Sequence, residues 1–169
     1  MAQITDELVY FIKRHEGGFA NIPNDKGGAT NSGITIATFQ SVYGKNKTVN
    51  DLKHMTNEQW LYIFTKLFWN RMRGNDIKSQ SVANEIVDFL WGSGKYALTN
   101  TQKVLGIKQD GIFGNITINT INSSNPKILF EQIKKERINY YYRIVKNNPT
   151  QKKFLKGWIN RANDMKYKD

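Results

Sequence analysis

Apolar residues recur at helical spacing along most of this chain. Leu8, Phe11 and Ile12 occupy positions i, i+3 and i+4 of one face, which is the pattern of a half-buried helix. Thr5 precedes this face, and its side chain is of the type that caps a helix N-terminus. A glycine pair at 17–18 ends the pattern, because glycine readily adopts the conformation that closes a helix. The spacing therefore predicts a first helix between these two signals.

Turn-forming residues replace the helical pattern at 19–34. This stretch contains Pro23, Gly27, Gly28 and Gly33 among Asn, Asp, Thr and Ser residues, a composition typical of loops and turns. Short strands or a hairpin fit in this stretch, but no long strand does.

Helical spacing returns after this region and continues to the end of the chain. Periodicity, capping residues and glycine or proline breakers predict further helices that begin near Thr35, Thr56, Val82, Leu98, Ile116, Pro126 and Pro149. No internal repeat and no low-complexity linker interrupts them. The predicted fold class is mainly α, with a short β-hairpin or irregular loop region after the first helix.

The composition of the chain excludes several kinds of functional site. The 169 residues are 39% hydrophobic and 12% aromatic, enough for a packed core. There is no cysteine, so neither a disulfide framework nor a cysteine-ligated metal site is available. The two histidines, His15 and His54, form no zinc motif. We expect no metal and no cofactor.

The positive charge is concentrated in the second half of the chain. The formal net charge is +11, and the residues from 127 onward carry 12 Lys or Arg against 4 Asp or Glu. Such a half favours an anionic polymer partner such as nucleic acid, teichoic acid, lipopolysaccharide or anionic peptidoglycan, although a solvated basic surface is an equal alternative. No helix-turn-helix or RNA-binding signature accompanies the charge, so we do not expect nucleic acid.

The start of the chain carries no targeting or membrane signal. Its longest apolar run, residues 8–12, is too short for a signal peptide or a membrane span, and no basic start precedes it. We expect a monomer without an integral membrane segment, made in the cytoplasm and acting outside it only after release by another route.

Glu16 is the first candidate for catalysis. It follows the predicted first helix directly and precedes two glycines, so a helix end holds its carboxyl group where the chain opens into a loop. Glycosidic bond cleavage needs such an acid and a second group across the sugar. Asp25 in the glycine-rich loop is a candidate for that group, and Thr30 is a candidate for holding a water or orienting a carboxylate. A solvated Glu and an ordinary turn Asp are the alternative interpretation.

Five segments of the sequence resemble one enzyme family. The segment at 15–39, HEGGFANIPNDKGGATNSGITIATF, resembles the opening motif of the glycoside hydrolase family 108 muramidases, which include phage endolysins and proteins once labelled secretion activators. The similarity continues at 61–69 and in DFLWGSG at 88–94. VLGIKQDGIFGNIT at 104–117 and FLKGWINRAN at 154–163 resemble the peptidoglycan-binding region that is paired with this family.

The resemblance implies an activity and a lysozyme-like helical fold. It implies cleavage of the β-1,4 bond between N-acetylmuramic acid and N-acetylglucosamine, with Glu16 as the general acid. The spacing from Glu16 to Asp25 and Thr30 also resembles the catalytic Glu, Asp and Thr of phage-type lysozymes. Those enzymes have one more residue between Asp and Thr, so Thr35 competes with Thr30. The resemblance further implies a catalytic lobe at 1–95 and a peptidoglycan-binding region at 96–169.

Other residues are candidates for sugar contacts. Asp88 is a possible further carboxylate in the cleft, or else a helix residue bonded to a turn, and Gly92 stands where relatives often have Asn. Aromatic residues near helix ends are candidates for stacking on sugar rings: Tyr62, Trp69, Trp91 and Tyr96. Others are expected in the core: Trp60, Phe64, Phe68 and Trp158. Three consecutive tyrosines at 140–142 span most of a helix circumference, so at least one must face solvent or a ligand.

One alternative function keeps the partner but not the reaction. A peptidoglycan-binding protein without catalysis would use the same cleft as a lectin.

The stereochemical outcome depends on the distance between the two carboxyl groups. Retention at the anomeric carbon requires about 5 Å, and inversion requires about 6.5 to 9.5 Å. The sequence leaves that choice open.

Overall fold

The computed structural model describes residues 1–23 and 25–169. Within them the chain forms a three-stranded sheet and the following helices: α1 Asp6–Glu16, α2 Ile36–Tyr43, α3 Val49–Lys53, α4 Asn57–Phe64, α5 Gln80–Ser93, α6 Lys95–Leu105, α7 Asn115–Ser123, α8 Pro126–Asn147 and α9 Lys152–Asp164. The mainly α fold with a short hairpin is confirmed. The chain divides into two compact units, one of Ile4–Leu67 and one of Met1–Gln3 with Phe68–Asp169.

Helix α1 forms as the sequence predicts. The Thr5 side chain accepts a hydrogen bond from the Leu8 amide at 3.2 Å, which satisfies one of the unpaired donors of the first turn. Leu8, Phe11 and Ile12 are buried. Gly17 ends the helix with a φ of 70°, a value that favours glycine.

The loop region after α1 contains a small antiparallel sheet. Strands β1 (Phe19–Ala20), β2 (Thr30–Asn31) and β3 (Ile34–Thr35) lie in the order β1-β2-β3. Ser32 and Gly33 join β2 to β3 with φ values of 48° and 82°. Two consecutive positive φ values are typical of the tight turn whose twist matches paired strands.

Threonine side chains begin the three helices that complete the first unit. Thr35 caps α2, while Thr48 and Thr56 each form a reciprocal capping box with the third residue of α3 and α4. Helix α3 was not predicted, because its five residues are too few to show a helical period. The core of this unit contains Phe39, Leu52, Trp60, Ile63 and Phe64, all buried.

Helix α5 is the most deeply buried helix of the second unit. It is buried at nine of its fourteen positions and packs against α6 and α8, and α8 also packs against α9. A π-helical stretch, Thr65–Trp69, follows α4, and a 3-10 turn, Pro149–Gln151, precedes α9. Among the described residues, no helix combines the length and the apolar character that crossing a membrane requires.

Candidate active site

Glu16 is the last residue of α1 and is half-buried. The helix that carries it is anchored by the buried side chains of Phe11 and Ile12. The preceding residue, His15, packs its ring 4.8 Å from the ring of Phe11. The carboxyl group therefore stands at the end of a fixed helix, at the point where the chain turns through Gly17 toward β1.

Asp25 lies in an exposed turn between β1 and β2. Its Oδ1 accepts a hydrogen bond from the Gly27 amide at 3.0 Å, and its carbonyl oxygen accepts one from the Gly28 amide at 3.0 Å. The Asp25 amide in turn donates to the Ile22 carbonyl. These bonds hold the shape of the turn, so one carboxylate oxygen already has a structural role.

The two competing threonines are cross-strand partners. Thr30 in β2 lies opposite Thr35 in β3 and opposite Ala20 in β1. The Thr35 hydroxyl accepts a hydrogen bond from the Thr38 amide at 3.1 Å and thereby caps α2. Within the described residues no such bond is made by the Thr30 hydroxyl, which leaves Thr30 the better placed of the two to bind a water.

Hydrogen bonds from neighbouring helices fix the sheet. The indole Nε1 of Trp60 donates to the Ser32 carbonyl at 3.0 Å, and the Asn31 side chain donates to the Leu52 carbonyl at 2.9 Å. The Lys13 ammonium lies 4.7 Å above the Trp60 ring, and its burial lowers the pKa of Lys13. Helices α3 and α4 thus hold the sheet in place within the first unit, and α1 contacts α4 through Lys13.

Glu16, Asp25 and Thr30 all belong to this first unit, Ile4–Leu67. The arrangement places one carboxyl group at a helix end, and a second carboxyl group and a hydroxyl on the hairpin that follows. Most enzymes that hydrolyse glycosidic bonds use two carboxyl groups, one on each side of the bond. Of the predicted sugar contacts, Tyr62 also belongs to the first unit. The others belong to the second unit: Trp69, Asp88, Trp91 and Tyr96.

Trp69 lies in the core. Its side chain is 1% exposed, and its indole Nε1 donates to the Asn75 side chain at 2.8 Å. Gly74 contacts the ring so closely that a Cβ atom at that position would collide with it. A ring packed in this way has no face open to a sugar. We therefore assign Trp69 to packing rather than to sugar stacking.

Asp88 is also buried, in a cluster of charged side chains. Arg137 Nη2 lies 2.6 Å from Asp88 Oδ2, and Arg161 Nη2 lies 2.7 Å from Asp88 Oδ1. Burial alone would raise the pKa of Asp88, but the two guanidinium groups lower it below its ordinary value. Asp88 therefore joins α5 to α8 and α9 as an ion-pair partner, not as a carboxylate in a cleft.

The same cluster contains a second carboxyl group, Glu85. Its Oε1 lies 3.2 Å from Arg137 Nη1, whereas its Oε2 is buried and has no hydrogen-bond partner among the described residues. Burial raises the pKa of Glu85 to about 7, because one guanidinium at this distance does not offset the desolvation and the nearby Asp88 charge. Arg137 Nε also donates to the Tyr141 hydroxyl at 2.7 Å.

The sequence interpretation missed the partners in this cluster. Glu85, Arg137 and Arg161 were not singled out, although one local signal existed. Two acidic residues, Glu85 and Asp88, stand three positions apart, and the helix is otherwise apolar from Ile86 to Trp91. That spacing places both carboxyl groups on one buried face, where cations from other helices must neutralise them.

The other predicted aromatic contacts differ in exposure. Tyr96 is 52% exposed and stacks 5.7 Å from Tyr140, and Tyr62 is 51% exposed. Trp91 is half-buried, with its ring 4.6 Å from Phe68. These three keep part of their surface open. Trp60 and Phe64 lie in the core as predicted, whereas Phe68 and Trp158 are only half-buried.

The tyrosine triplet divides as the sequence predicts. Tyr141 is buried, Tyr140 is half-buried and Tyr142 is 54% exposed.

Gly92, where relatives often have Asn, is exposed, and a Cβ there would meet no atom within 4 Å.

One buried glutamine organises the loop between α6 and α7. The Gln102 side chain donates to Asp110 Oδ1 at 2.9 Å and to the Ile112 carbonyl at 3.0 Å, and it accepts from the Gly111 amide at 2.8 Å. The loop presents Ile112, which is 69% exposed, next to Ile116, which is 75% exposed. These two apolar side chains line an open pocket beside the loop.

Two family models match the chain. The model described as glycosyl hydrolase 108 matches residues 9–94, and the model described as a predicted peptidoglycan domain matches residues 96–163. The matches meet near residue 95, whereas the compact units divide between Leu67 and Phe68. The lobes at 1–95 and 96–169 stay a prediction.

A solved structure is similar to the chain over most of its length. The structure of Brucella abortus SagA shares 29% sequence identity and a TM-score of 0.81, covering 94% of this chain and 89% of that chain. No curated protein matches the chain. A glycosyl hydrolase region followed by a peptidoglycan region makes the chain, in general terms, a peptidoglycan hydrolase. The chain belongs to the glycosyl hydrolase 108 family.

Proposed function

We propose that the chain is an N-acetylmuramidase with Glu16 as its general acid. It would cleave the β-1,4 bond between N-acetylmuramic acid and N-acetylglucosamine in peptidoglycan. The observation that supports this assignment is the position of Glu16 at the end of α1, half-buried and directly before the hairpin that carries Asp25 and Thr30. The region that matches the glycosyl hydrolase 108 model contains all three residues.

Each of the three groups has a distinct chemical role in the proposal. Glu16 protonates the glycosidic oxygen as the bond to the leaving sugar breaks. Asp25 supplies the negative charge that stabilises the developing oxocarbenium ion, using the oxygen that does not hold the turn. The Thr30 hydroxyl holds the water that attacks the anomeric carbon, and the Asp25 carboxylate accepts the proton that this water releases.

Substitution of Glu16 by Gln tests the acid. Glutamine has the same shape but cannot donate a proton to the leaving oxygen, so we expect release of reducing sugars from purified peptidoglycan to fall by a factor of about 100 or more. Glu7→Gln is the matched control, since Glu7 is exposed at the opposite end of the same helix. An unchanged rate in Glu16→Gln, with an intact circular dichroism spectrum, would show that another group is the acid.

Substitution of Asp25 by Asn separates its charge from its role in the turn. The Asn side-chain oxygen still accepts the Gly27 amide hydrogen bond, so the turn survives while the negative charge is lost. We expect activity to fall and the melting temperature to stay nearly constant. Full activity in Asp25→Asn would show that the Asp25 side chain stabilises the turn and does not take part in catalysis. Substitution of Thr30 by Val tests the role of the Thr30 hydroxyl, with Thr38→Val as the control. We again expect activity to fall and the melting temperature to stay nearly constant.

Mass spectrometry of the released fragments tests the bond. A muramidase leaves N-acetylmuramic acid at the reducing end of every glycan fragment. Fragments that end in N-acetylglucosamine would refute the bond assignment without refuting a glycosidase. Binding of the wild type to peptidoglycan without release of any fragment would favour the non-catalytic alternative.

A further inference from the structure

One stretch of the sequence is entirely free of acidic residues. Between residues 137 and 163 there are seven Lys or Arg and no Asp or Glu. Two of these cations, Arg137 and Arg161, form ion pairs with the buried carboxylate of Asp88. A third cation, Arg143, pairs with Glu136 at 2.7 Å.

The four remaining cations are exposed lysines. They are Lys146, Lys152, Lys153 and Lys156. Within the part of the chain that the structure describes, none of the four forms a salt bridge. The tertiary structure thus separates cations that are neutralised inside the protein from cations that face solvent.

These four lysines lie at one end of a helix pair. Helices α8 and α9 are antiparallel: the Tyr141 ring lies 5.4 Å from the Trp158 ring, and Lys134 Nζ donates to the Met165 carbonyl at 2.5 Å. Only Asn148 and the 3-10 turn Pro149–Gln151 separate the two helices. The last turn of α8 and the first turns of α9 therefore meet, and we call the four lysines at this end the basic tip.

The basic tip is electrostatically unfavourable for the isolated protein. Lys152 and Lys153 occupy the first turn of α9, which contains no acidic residue, and no side chain caps this helix. A helix N-terminus carries partial positive charge, so cations there repel it as well as one another. An anionic partner would relieve this repulsion.

Exposed aromatic side chains accompany the lysines. Phe154 is 45% exposed in the first turn of α9, with Lys153 Nζ 5.0 Å from its ring. Tyr142 is 54% exposed one helical turn before Lys146. A charged polymer is bound by cations along a track, whereas a lipid surface is bound by clustered cations beside apolar side chains that enter the headgroup layer.

We propose that the basic tip is a docking surface for a membrane whose lipids carry anionic phosphate headgroups. The lysines contact the phosphates, and the Phe154 ring enters the interface between headgroups and acyl chains. This contact lies on the surface of the membrane and does not cross it. It does not depend on the proposed muramidase activity, since it involves none of the three catalytic candidates.

Vesicle binding of the full-length protein tests the proposal. We expect the protein to sediment with vesicles of phosphatidylcholine and phosphatidylglycerol but not with phosphatidylcholine alone, and less at high salt. Each surface lysine contributes about fivefold to such binding, so Lys152→Gln/Lys153→Gln weakens it about 25-fold. The variant should melt no lower than the wild type, because it removes cations from a helix N-terminus.

The matched control is Lys127→Gln/Lys135→Gln. It removes the same charge from two exposed positions in the first half of α8, away from the basic tip, and Lys127 also occupies the first turn of its helix. We expect it to bind vesicles nearly as the wild type does. Equal binding by the two double variants would overturn the assignment to the basic tip.

Two further outcomes would overturn the proposal. One is equal sedimentation with neutral and anionic vesicles. The other is binding to a soluble glycerol phosphate polymer without binding to vesicles, which would assign the charge to a wall polymer. Release of reducing sugars from lipid-free peptidoglycan should be unchanged in Lys152→Gln/Lys153→Gln, and Glu16→Gln should still bind vesicles. Sugar release therefore tests the muramidase proposal, vesicle binding tests the membrane proposal, and each can fail without the other.

Discussion

The buried carboxyl group of Glu85 makes the stability of the second unit depend on pH. Its pKa is raised from 4.5 to about 7, mainly by burial. A carboxyl group whose folded pKa lies above its unfolded pKa binds more protons in the native state than in the unfolded state. Its contribution to stability is therefore complete below about pH 4.5, falls between about 4.5 and 7, and is constant above that range. Glu85→Gln removes this dependence, because the amide does not ionise.

The size of the effect follows from the two pKa values. Between about pH 5 and about pH 8, the wild type should lose about 2 to 3 kcal/mol of unfolding free energy that Glu85→Gln retains. The other groups near the site, Asp88, Lys134, Arg137 and Tyr141, are present in both proteins, so their titration largely cancels in the difference. Glutamine keeps the hydrogen bond to Arg137, because its side-chain oxygen replaces Oε1.

Urea unfolding of the two proteins at both pH values measures this difference. We expect the unfolding free energy of Glu85→Gln to increase relative to that of the wild type as the pH rises. Similar m-values for the two proteins would show that their unfolded states are comparable. Glu131→Gln is the control, since Glu131 is exposed on α8. If the free energy difference between wild type and Glu85→Gln were the same at both pH values, Glu85 would be ionised throughout and the reasoning from burial would be wrong.

Three further substitutions test other parts of the structure. Asp88→Asn removes the anion that Arg137 and Arg161 share, leaves Arg137 with Glu85 alone, and should cost about 3 to 5 kcal/mol in urea unfolding. Trp60→Phe keeps a buried ring but removes the donor to the Ser32 carbonyl, and should cost about 1 to 3 kcal/mol while also lowering peptidoglycan hydrolysis. Gly74→Ala forces a Cβ against the Trp69 ring and should lower the melting temperature, with an expected cost of about 1 to 3 kcal/mol. A wild-type melting curve in any of the three would contradict the contact concerned.

The exposure of the tryptophans shows where local patterns stop being informative. Trp69 and Trp91 both stand near helix ends in the sequence, and both were predicted to contact sugar. The structure buries Trp69 against Gly74, five residues away, and leaves Trp91 partly open beside Phe68. No helical period distinguishes the two cases, because the burial of a ring depends on how other segments fold over it.

Much of the fold is determined by signals within a few residues of one another. Thr5, Thr35 and Thr56 begin their helices because a threonine hydroxyl satisfies amides of the first turn, and Gly17 ends α1 because it tolerates a positive φ. The position of Glu16 at a helix end follows from the same signals. Its proposed role as the acid rests on the family motif around it.

Other properties required the tertiary structure. The sequence shows a basic half, but only packing decides that Arg137 and Arg161 are neutralised inside while Lys152 and Lys153 stay exposed. Likewise, Glu85 is one acidic residue among many until the fold buries it beside the Arg137 guanidinium group. The physical reason is one of range: caps and turns depend on neighbours along the chain, whereas burial, ionisation and charge pairing depend on residues that are 50 or more positions distant.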